Sequence, residues 1–159
     1  MSSPRHRIRL RPGHPDDESA VLRLAARLAD FPVPSWRTAE EIARADDDIL
    51  RAQLMAPRAD ALLLVAELVP GTPVGCVLVT TRNDYFTHQP QAYVEVLAVD
   101  VAAEGQGVAS ALMAAAEEWA RARGVRRISL TVWEPNAKAR RFYDRSGYQP
   151  ETLQYRKEL

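Results

Sequence analysis

The sequence contains only one cysteine, Cys76, so no disulfide can form within the chain. It also lacks a hydrophobic run long enough to cross a bilayer, which takes about 20 apolar residues. The most apolar stretch, 61–69, contains Glu67 and is followed by Pro70, and the Arg-rich segment 2–11 has no apolar core of the kind found in signal peptides. These absences predict a cytoplasmic protein that does not enter membranes.

Charge of one sign is not in excess, because 21 Lys and Arg residues balance 21 Asp and Glu residues. A neutral chain lacks the broad basic surface by which proteins bind nucleic acid or anionic membranes, so we expect neither as a partner. The His, Cys and Asp residues show no metal-ligand spacing, and no metal is expected. A chain of 159 residues, 47% of them hydrophobic, suits a single globular domain over 1–159. Small-molecule chemistry is therefore the expected activity.

Apolar periodicity and the positions of glycine and proline predict the element order βααβββαβαβ. The predicted strands are 7–11, 61–69, 74–81, 92–99, 128–133 and 148–158, and the predicted helices are 16–28, 38–55, 107–124 and 136–146. Thr38 and Glu41 form a capping-box pattern at the start of the second helix. An antiparallel meander followed by alternating helices and strands makes an α/β (α+β) domain, with a mixed central sheet flanked by helices.

The most informative stretch is 99–110, where a predicted strand passes through Gly105-Gln106-Gly107 into a long amphipathic helix. Glycines let the backbone approach a ligand closely, and the first N–H groups of a helix are free to bind phosphate. Two known phosphate-binding turns fit poorly. A Rossmann turn requires Gly or Ala where Ser110 lies, and a P-loop ends in Gly-Lys-Ser/Thr rather than Gly-Val-Ala. Glycines that only turn a strand into a helix are the remaining alternative.

A second cluster of residues, Asn136-Ala137-Lys138-Ala139-Arg140-Arg141-Phe142-Tyr143 and on to Gly147-Tyr148, follows the glycine turn. With that turn and with Leu97-Ala98-Val99 before it, this cluster resembles the GNAT-type N-acetyltransferases. Their turn reads Gln/Arg-x-x-Gly-x-Gly/Ala, and their second cluster reads Asn-x-x-Ala-x-x-Phe/Leu-Tyr-x-x-x-Gly-Phe/Tyr. The predicted element order is also similar to theirs. The resemblance therefore implies a single GNAT-like domain.

One residue of the turn departs from the family pattern, since Glu104 stands where the family has Gln or Arg. A carboxylate there would lie beside the expected pyrophosphate. We expect its side chain to turn into solvent, where screening limits the repulsion, so that Glu104 contributes only backbone. The departure would nevertheless weaken cofactor binding.

The resemblance implies acetyl-CoA as the co-substrate, held mainly by backbone groups. The main chain of Leu97, Ala98 and Val99 would pair with the pantetheine arm like an added strand. Asn136 would hydrogen-bond the pantetheine or phosphate region, although it also suits the N-cap of its helix. The pyrophosphate would lie on the turn and the first helical turn, which comprise Glu104, Gly105, Gln106, Gly107, Val108, Ala109 and Ser110.

Two residues are candidates for acid–base chemistry. An amine must lose a proton before it can attack, which at pH 7 costs roughly 4 to 5 kcal/mol. Glu95 is the candidate base, because a carboxylate inside the apolar strand 93–99 is costly without a partner or a function, and the resemblance implies the same role. The alternatives are an ion pair with an arginine and a side chain at the strand edge that reaches solvent. The resemblance implies that Tyr143 protonates the CoA thiolate, and the alternative is a tyrosine that packs its helix on the sheet.

The expected function is an N-acetyltransferase that moves an acetyl group from acetyl-CoA to a primary amine of a small molecule or peptide, directly within a ternary complex. Two alternatives stay open: a module of the same fold that binds or senses an acyl-CoA without turnover, and an enzyme that uses another acyl-CoA. The sequence does not identify the acceptor or the oligomeric state, although dimers are common in the family and a homodimer is compatible with the resemblance.

Acidic and aromatic residues near the expected acceptor side have less specific interpretations. Asp46-Asp47-Asp48 would attract a cationic acceptor, but a solvated helix face is the preferred interpretation. Phe31, Trp36 and Tyr85 would either line an acceptor pocket or pack on a helix.

Overall fold

The computed structural model describes residues 7–159. Within them, one sheet contains five strands in chain order: β1 (Arg9–Pro12), β2 (Ala61–Val69), β3 (Thr72–Asn83), β4 (Pro90–Val99) and β5 (Ile128–Leu130). The helices are α1 (Glu18–Ala25), α2 (Ala39–Met55), α3 (Val108–Ala122) and α4 (Ala137–Arg145), with short 3-10 turns at Pro15–Asp17, Ala26–Ala29 and Val101–Ala103. Strands β1 to β4 pair antiparallel and β5 pairs parallel with β4, which confirms the predicted mixed sheet.

Helices cover both faces of the sheet, and each face has its own apolar cluster. Because successive side chains of a strand point to opposite faces, β2 sends Leu63 and Val65 to one cluster and Leu62 and Leu64 to the other. Helices α1 and α2 complete the first cluster with Val21, Leu24, Leu50 and Leu54, and α3 completes the second with Val108, Leu112, Met113 and Ala116. The domain is therefore a three-layer arrangement.

The start of α2 has the cap that its sequence predicts. The Thr38 hydroxyl accepts a hydrogen bond from the Glu41 N–H at 3.1 Å, and the Glu41 carboxylate accepts one from the Thr38 N–H at 2.9 Å. The two bonds satisfy backbone donors that the first turn leaves free. The predicted capping box is confirmed.

A close approach between β3 and α3 depends on Gly75. A Cβ atom at this position would lie 2.8 Å from Cγ1 of Val108 and 3.1 Å from Cδ1 of Leu112. The missing side chain thus lets the first turn of α3 rest directly on the sheet. This contact, which fixes where α3 begins, was not predicted from the sequence.

Three charged residues join β1 to β2 and to the turn before α1. Arg11 donates hydrogen bonds to both carboxylate oxygens of Asp17, at 2.7 and 2.8 Å, and to Glu67 at 2.8 Å. The guanidinium holds the pKa of Asp17 below its ordinary value. Asp17 and Glu67 are both buried, and Arg11 compensates the charge of each, while Arg9 lies 3.9 Å from the second oxygen of Glu67.

Two predictions about the end of the chain are wrong. The predicted strand 148–158 does not form, and the strand predicted over 128–133 is only three residues long. Residues 149–159 are exposed throughout, including Leu153 and Tyr155. Pro150 has no N–H to donate, and these two apolar side chains alone offer little surface for the sheet to bury. The observed order is therefore βααβββαβα.

Among residues 7–159, no helix is both long and apolar enough to span a membrane.

Candidate active site

Strand β4 has an open edge on the side of β5. The two strands pair only at Ala92–Val94 and Ile128–Leu130, so within the described residues no strand pairs with the following segment of this edge, 95–99. The N–H of Asp100 donates to Val74 on β3 at 2.8 Å. Since backbone groups of successive residues point to alternate sides, Leu97 and Val99 face the open side, whereas Ala98 faces β3. Of the three residues predicted to bind pantetheine, two therefore direct their backbone groups away from β3.

The glycine turn leads from this edge directly into α3. Gly105 and Gly107 have φ angles of 73° and 84°, which favour glycine, and Gly107 is the N-cap of α3, so no side chain caps this helix. Within residues 7–159, no backbone hydrogen bond uses the N–H groups of Gly105, Gly107, Val108, Ala109 or Ser110. These donors lie at the positive end of a helix of 15 residues. The turn is thus able to bind an anion.

Two other N–H groups of the turn already have acceptors. Glu104 donates to Val101 at 3.2 Å, and Gln106 donates to Ala103 at 3.4 Å. The backbone contribution that the sequence analysis expected from Glu104 is therefore not supported by the geometry.

The Glu104 side chain binds two cations, contrary to the prediction that it turns into solvent. One carboxylate oxygen accepts a hydrogen bond from Arg27 at 3.0 Å, and the other accepts one from Lys138 at 2.5 Å. Lys138, and then Arg27, hold the pKa of Glu104 below its ordinary range. The sequence contained no indication of this contact, because Arg27, Glu104 and Lys138 lie on three separate segments.

Arg27, in the 3-10 turn after α1, also contacts the end of β4. Its guanidinium donates to the carbonyl oxygen of Val99 and, at 3.3 Å, to Asp30. One turn earlier, Arg23 donates to Asp100 at 2.8 Å. Of the two residues that face the open edge, Val99 therefore has its carbonyl occupied by a side chain of this protein.

Glu95 lies at a β-bulge, because Val94 and Val96 pair with the adjacent residues Val79 and Leu78 and leave Glu95 without an opposite residue. A bulge redirects the side chain that it carries. The carboxylate accepts hydrogen bonds from Thr80 at 2.8 Å and from Arg82, which approaches both of its oxygens at 2.6 Å. The ion pair with an arginine, one of the alternatives left open by the sequence, is thus present.

A second carboxylate lies near Glu95. Burial, followed by the charges of Asp47 and Glu95, raises the pKa of Asp46 to about 6. Asp46 and Asp47 are half-buried, whereas Asp48 is exposed. The interpretation of 46–48 as a solvated face therefore holds only for Asp48. The alternative interpretation of 46–48, attraction of a cationic acceptor, therefore stays open for Asp46 and Asp47.

Tyr143 and Asn136, both at α4, make the contacts that the structural alternatives describe. Tyr143 packs edge-on against Phe142 and Tyr148, with ring centroids 5.1 and 5.6 Å apart, and burial raises its pKa to about 12. The Asn136 side chain accepts a hydrogen bond from the Ala139 N–H at 3.1 Å and so caps α4. Both side chains therefore help to hold α4 in place.

An aromatic pair links the segment after α1 to the segment after β5. Phe31 stacks on Trp133 with ring centroids 5.8 Å apart and planes inclined by 26°. Phe31 was one of the aromatic residues weighed for an acceptor pocket, and Trp133 was not. Their contact indicates that these two segments meet beside the open edge of β4.

Comparison with known proteins adds three findings. The sequence profile of the acetyltransferase (GNAT) family matches residues 24–148. A mycothiol acetyltransferase of Beutenbergia cavernae is 47% identical over 55 residues, which are 35% of this chain and 18% of that protein. The match thus spans less than a fifth of the relative's length.

Solved structures share the fold over nearly the whole chain. A Pyrococcus furiosus protein named as an acetyl transferase is 25% identical, with a TM-score of 0.76 and coverage of 96% of this chain and 100% of that one. The protein AAC(6')-Iy, solved with a bisubstrate analogue, CoA-S-monomethyl-acetylneamine, is 20% identical, with a TM-score of 0.69 and coverage of 96% of this chain and 99% of that one.

Proposed function

The chain belongs to the acetyltransferase (GNAT) family, and from this we propose that it transfers an acetyl group from acetyl-CoA to a primary amine of a small molecule or peptide. Transfer takes place directly, in a ternary complex of the protein with both substrates. We further propose that the protein acts in the cytoplasm and needs neither a metal nor nucleic acid. A homodimer is compatible with this activity.

One observation carries the proposal: the open edge of β4 is followed, after the short 3-10 turn Val101–Ala103, by the glycine turn and the start of α3. Within residues 7–159, five N–H groups there lack backbone acceptors, those of Gly105, Gly107, Val108, Ala109 and Ser110. A pantetheine arm has amides that can pair with Leu97 and Val99 in the manner of a strand. A pyrophosphate is the anion that free N–H groups at a helix start bind well. The two chemical halves of CoA thus meet matching groups in the right order along the chain.

The acceptor side suits an amine that arrives with a positive charge. Asp46 and Glu95 supply two carboxylates, close enough for the charge of Glu95 to raise the pKa of Asp46, and Arg82 pairs with Glu95. Glu95, or a water that it orients, would accept the proton of the amine, and Tyr143 would supply the proton to the departing thiolate. A tyrosine whose pKa is about 12 is a weaker acid than the thiol it must form, so collapse of the tetrahedral intermediate must drive that proton transfer.

The names of the relatives indicate the class of acceptor but not its identity. One is named for mycothiol and another was solved with an analogue of acetylated neamine, so both names are consistent with amine acetylation. Because the mycothiol match covers 18% of that protein, it does not select its acceptor for this chain.

A second candidate function is acyl-CoA binding without turnover, and the ion pair between Arg82 and Glu95 favours it. A base whose two oxygens both accept from a guanidinium is less able to take a proton. Use of another acyl-CoA, such as propionyl-CoA or succinyl-CoA, is a third candidate, which differs only in the acyl group transferred.

The first experiment is a thermal-shift titration with acetyl-CoA. Ligand at 100 times its dissociation constant adds about 2.7 kcal/mol to the free energy of unfolding, which raises the melting temperature by roughly 5 °C. Gly107→Trp should abolish the shift, because it fills the turn with an indole. Gly124→Trp is the matched control, since Gly124 also has a positive φ of 71° and open space around it but lies at the other end of α3.

The second experiment measures CoA release with a panel of amines, each tested with acetyl-, propionyl- and succinyl-CoA. Release with acetyl-CoA and an amine supports the proposed enzyme. A thermal shift without release from any pair would overturn it in favour of the binding module. Absence of both would contradict CoA binding itself.

A further inference from the structure

Glu104, Arg27 and Lys138 form an ion cluster near the end of β4, which we call the Glu104 clamp. Arg27 comes from the 3-10 turn after α1, Glu104 from the turn before α3, and Lys138 from α4. The carboxylate binds both cations, at 3.0 and 2.5 Å. Three segments that are distant in sequence thus meet on one side chain.

The position of the clamp makes its charges relevant to phosphate. Glu104 immediately precedes Gly105, the first of the residues whose N–H groups have no backbone acceptor within 7–159. Any anion held by those groups would lie beside the carboxylate and beside both cations. Repulsion by Glu104 and attraction by Arg27 and Lys138 therefore act on the same ligand atoms.

Both cations have donors to spare. The Lys138 ammonium has three N–H groups, of which one bonds to Glu104, and its side chain is 69% exposed. The Arg27 guanidinium has five N–H groups, and its contacts are with Glu104, Asp30 and the carbonyl of Val99. A pyrophosphate would be a stronger partner for the two cations than a single carboxylate, because it carries two negative charges and more acceptor oxygens.

We propose that Arg27 and Lys138 bind the phosphates of the acyl-CoA, and that Glu104 occupies these two cations until the phosphates displace it. Glu104 is then an internal competitor of the ligand rather than a simple flaw in the turn. This inference rests on the proposed function, since it takes the ligand to be an acyl-CoA.

Arg27 has a second effect, because it also occupies the Val99 carbonyl that faces the open edge. An amide of the pantetheine arm would require this acceptor. Binding of the phosphate to the guanidinium would draw Arg27 away from Val99 and free the carbonyl for the arm. The two halves of the ligand thus help each other through one side chain.

The test separates the two halves of the ligand with three probes: acetyl-CoA, S-acetylpantetheine, which lacks the phosphates, and inorganic pyrophosphate, which lacks the arm. Their dissociation constants are measured by calorimetry for the wild type, Glu104→Gln, Arg27→Met and Lys138→Met. Arg145→Met is the matched control for Lys138→Met, because it removes an exposed cation from the same helix at a position outside the clamp.

Lys138→Met should weaken the binding of acetyl-CoA and pyrophosphate about tenfold, the size expected for the loss of a charged hydrogen bond. The affinity for S-acetylpantetheine should not change. Arg27→Met should weaken the binding of pyrophosphate to a similar extent. It should strengthen the binding of S-acetylpantetheine about twofold or more, because it frees the Val99 carbonyl. Glu104→Gln should tighten acetyl-CoA and pyrophosphate about threefold to tenfold. Arg145→Met should change none of the constants.

Weaker acetyl-CoA binding by Glu104→Gln would overturn the competitor role, because it would mean that the carboxylate positions the cations. Equal losses in Lys138→Met and Arg145→Met would overturn a specific phosphate contact. If the wild type binds acetyl-CoA but the cation variants leave all constants unchanged, this inference fails and the proposed function stands. If the wild type binds none of the three probes, both fail.

Discussion

Arg82 approaches both carboxylate oxygens of Glu95 at 2.6 Å, while Thr80 donates to one of them at 2.8 Å. The guanidinium also lies over the ring of Tyr93, 3.6 Å from its centroid. The candidate base is therefore oriented by its neighbours on β3 and β4. Substitutions at Glu95 and at its partners test whether this orientation serves catalysis.

Glu95→Gln should lower kcat by about 10² to 10⁴, the contribution of a general base, and leave the affinity for acetyl-CoA unchanged. Steady-state kinetics with a responsive amine measure the first, and calorimetry measures the second. Thr80→Val is the control, since it removes a hydrogen bond to the carboxylate but keeps the carboxylate. A Glu95→Gln enzyme with the wild-type kcat would exclude Glu95 as the base.

Tyr143→Phe should reduce kcat about 10²-fold while acetyl-CoA still binds, because only the proton donor is lost. Burial raises the pKa of Tyr143 to about 12, so its hydroxyl stays protonated at pH 10 and should not cause any loss of activity there. Tyr148→Phe, which removes a hydrogen bond to Glu117, is the control for altered packing. Equal effects of the two substitutions on kcat would indicate a packing role for both.

Asp46→Asn should stabilise the protein at neutral pH but not at pH 4. The pKa of Asp46 is about 6 in the folded chain, against an ordinary value of 3.8. The folded state therefore binds the proton more tightly, and stability falls as the pH rises from about 4 to 6. Removing the charge should recover about 1 kcal/mol at pH 7, a figure reduced for solvent screening of a half-buried group.

Urea unfolding at both pH values measures this effect. Asp48→Asn is the control, because Asp48 lies on the same helix but is exposed. A gain that is equal at pH 4 and pH 7 would contradict the assignment to Asp46 ionisation.

Gly75→Ala should destabilise the domain by about 1 to 3 kcal/mol, because the added methyl group meets Val108 at 2.8 Å. Chemical unfolding measures the loss. The same substitution in a Val108→Ala background should cost less, since the clashing atom is gone. Strictly additive effects of the two substitutions would mean that the methyl group is accommodated elsewhere.

Much of the fold could be predicted from local patterns. The strand 61–69 has the predicted bounds, and the cap at Thr38 forms as its spacing indicates. Both depend on residues close together in the sequence. The end of the chain was predicted wrongly because Leu153 and Tyr155 alternate as in a strand, yet nothing in the local pattern reports whether a partner edge can bury them.

The same difference between local patterns and tertiary contacts applies to the site. The glycine turn could be located because its backbone conformation is a local property of Gly105 and Gly107. The partners of Glu95 and Glu104 could not be predicted, since Arg82 and Lys138 are two of many cations and only tertiary packing selects them. The contact between Gly75 and Val108 was missed for the same reason.

The order of the strands in the sheet, which follows the chain, has a consequence for how the domain folds. Hairpin connections join β2 to β3 and β3 to β4, so these pairings close short loops and should form early. Pairing of β5 with β4 must wait for the crossover through α3, and it yields only three residue pairs. We therefore expect β5 to dock slowly during folding and to lose its protection first in hydrogen exchange. Strand β5, which lies beside the open edge of β4, would then be the least protected part of the sheet.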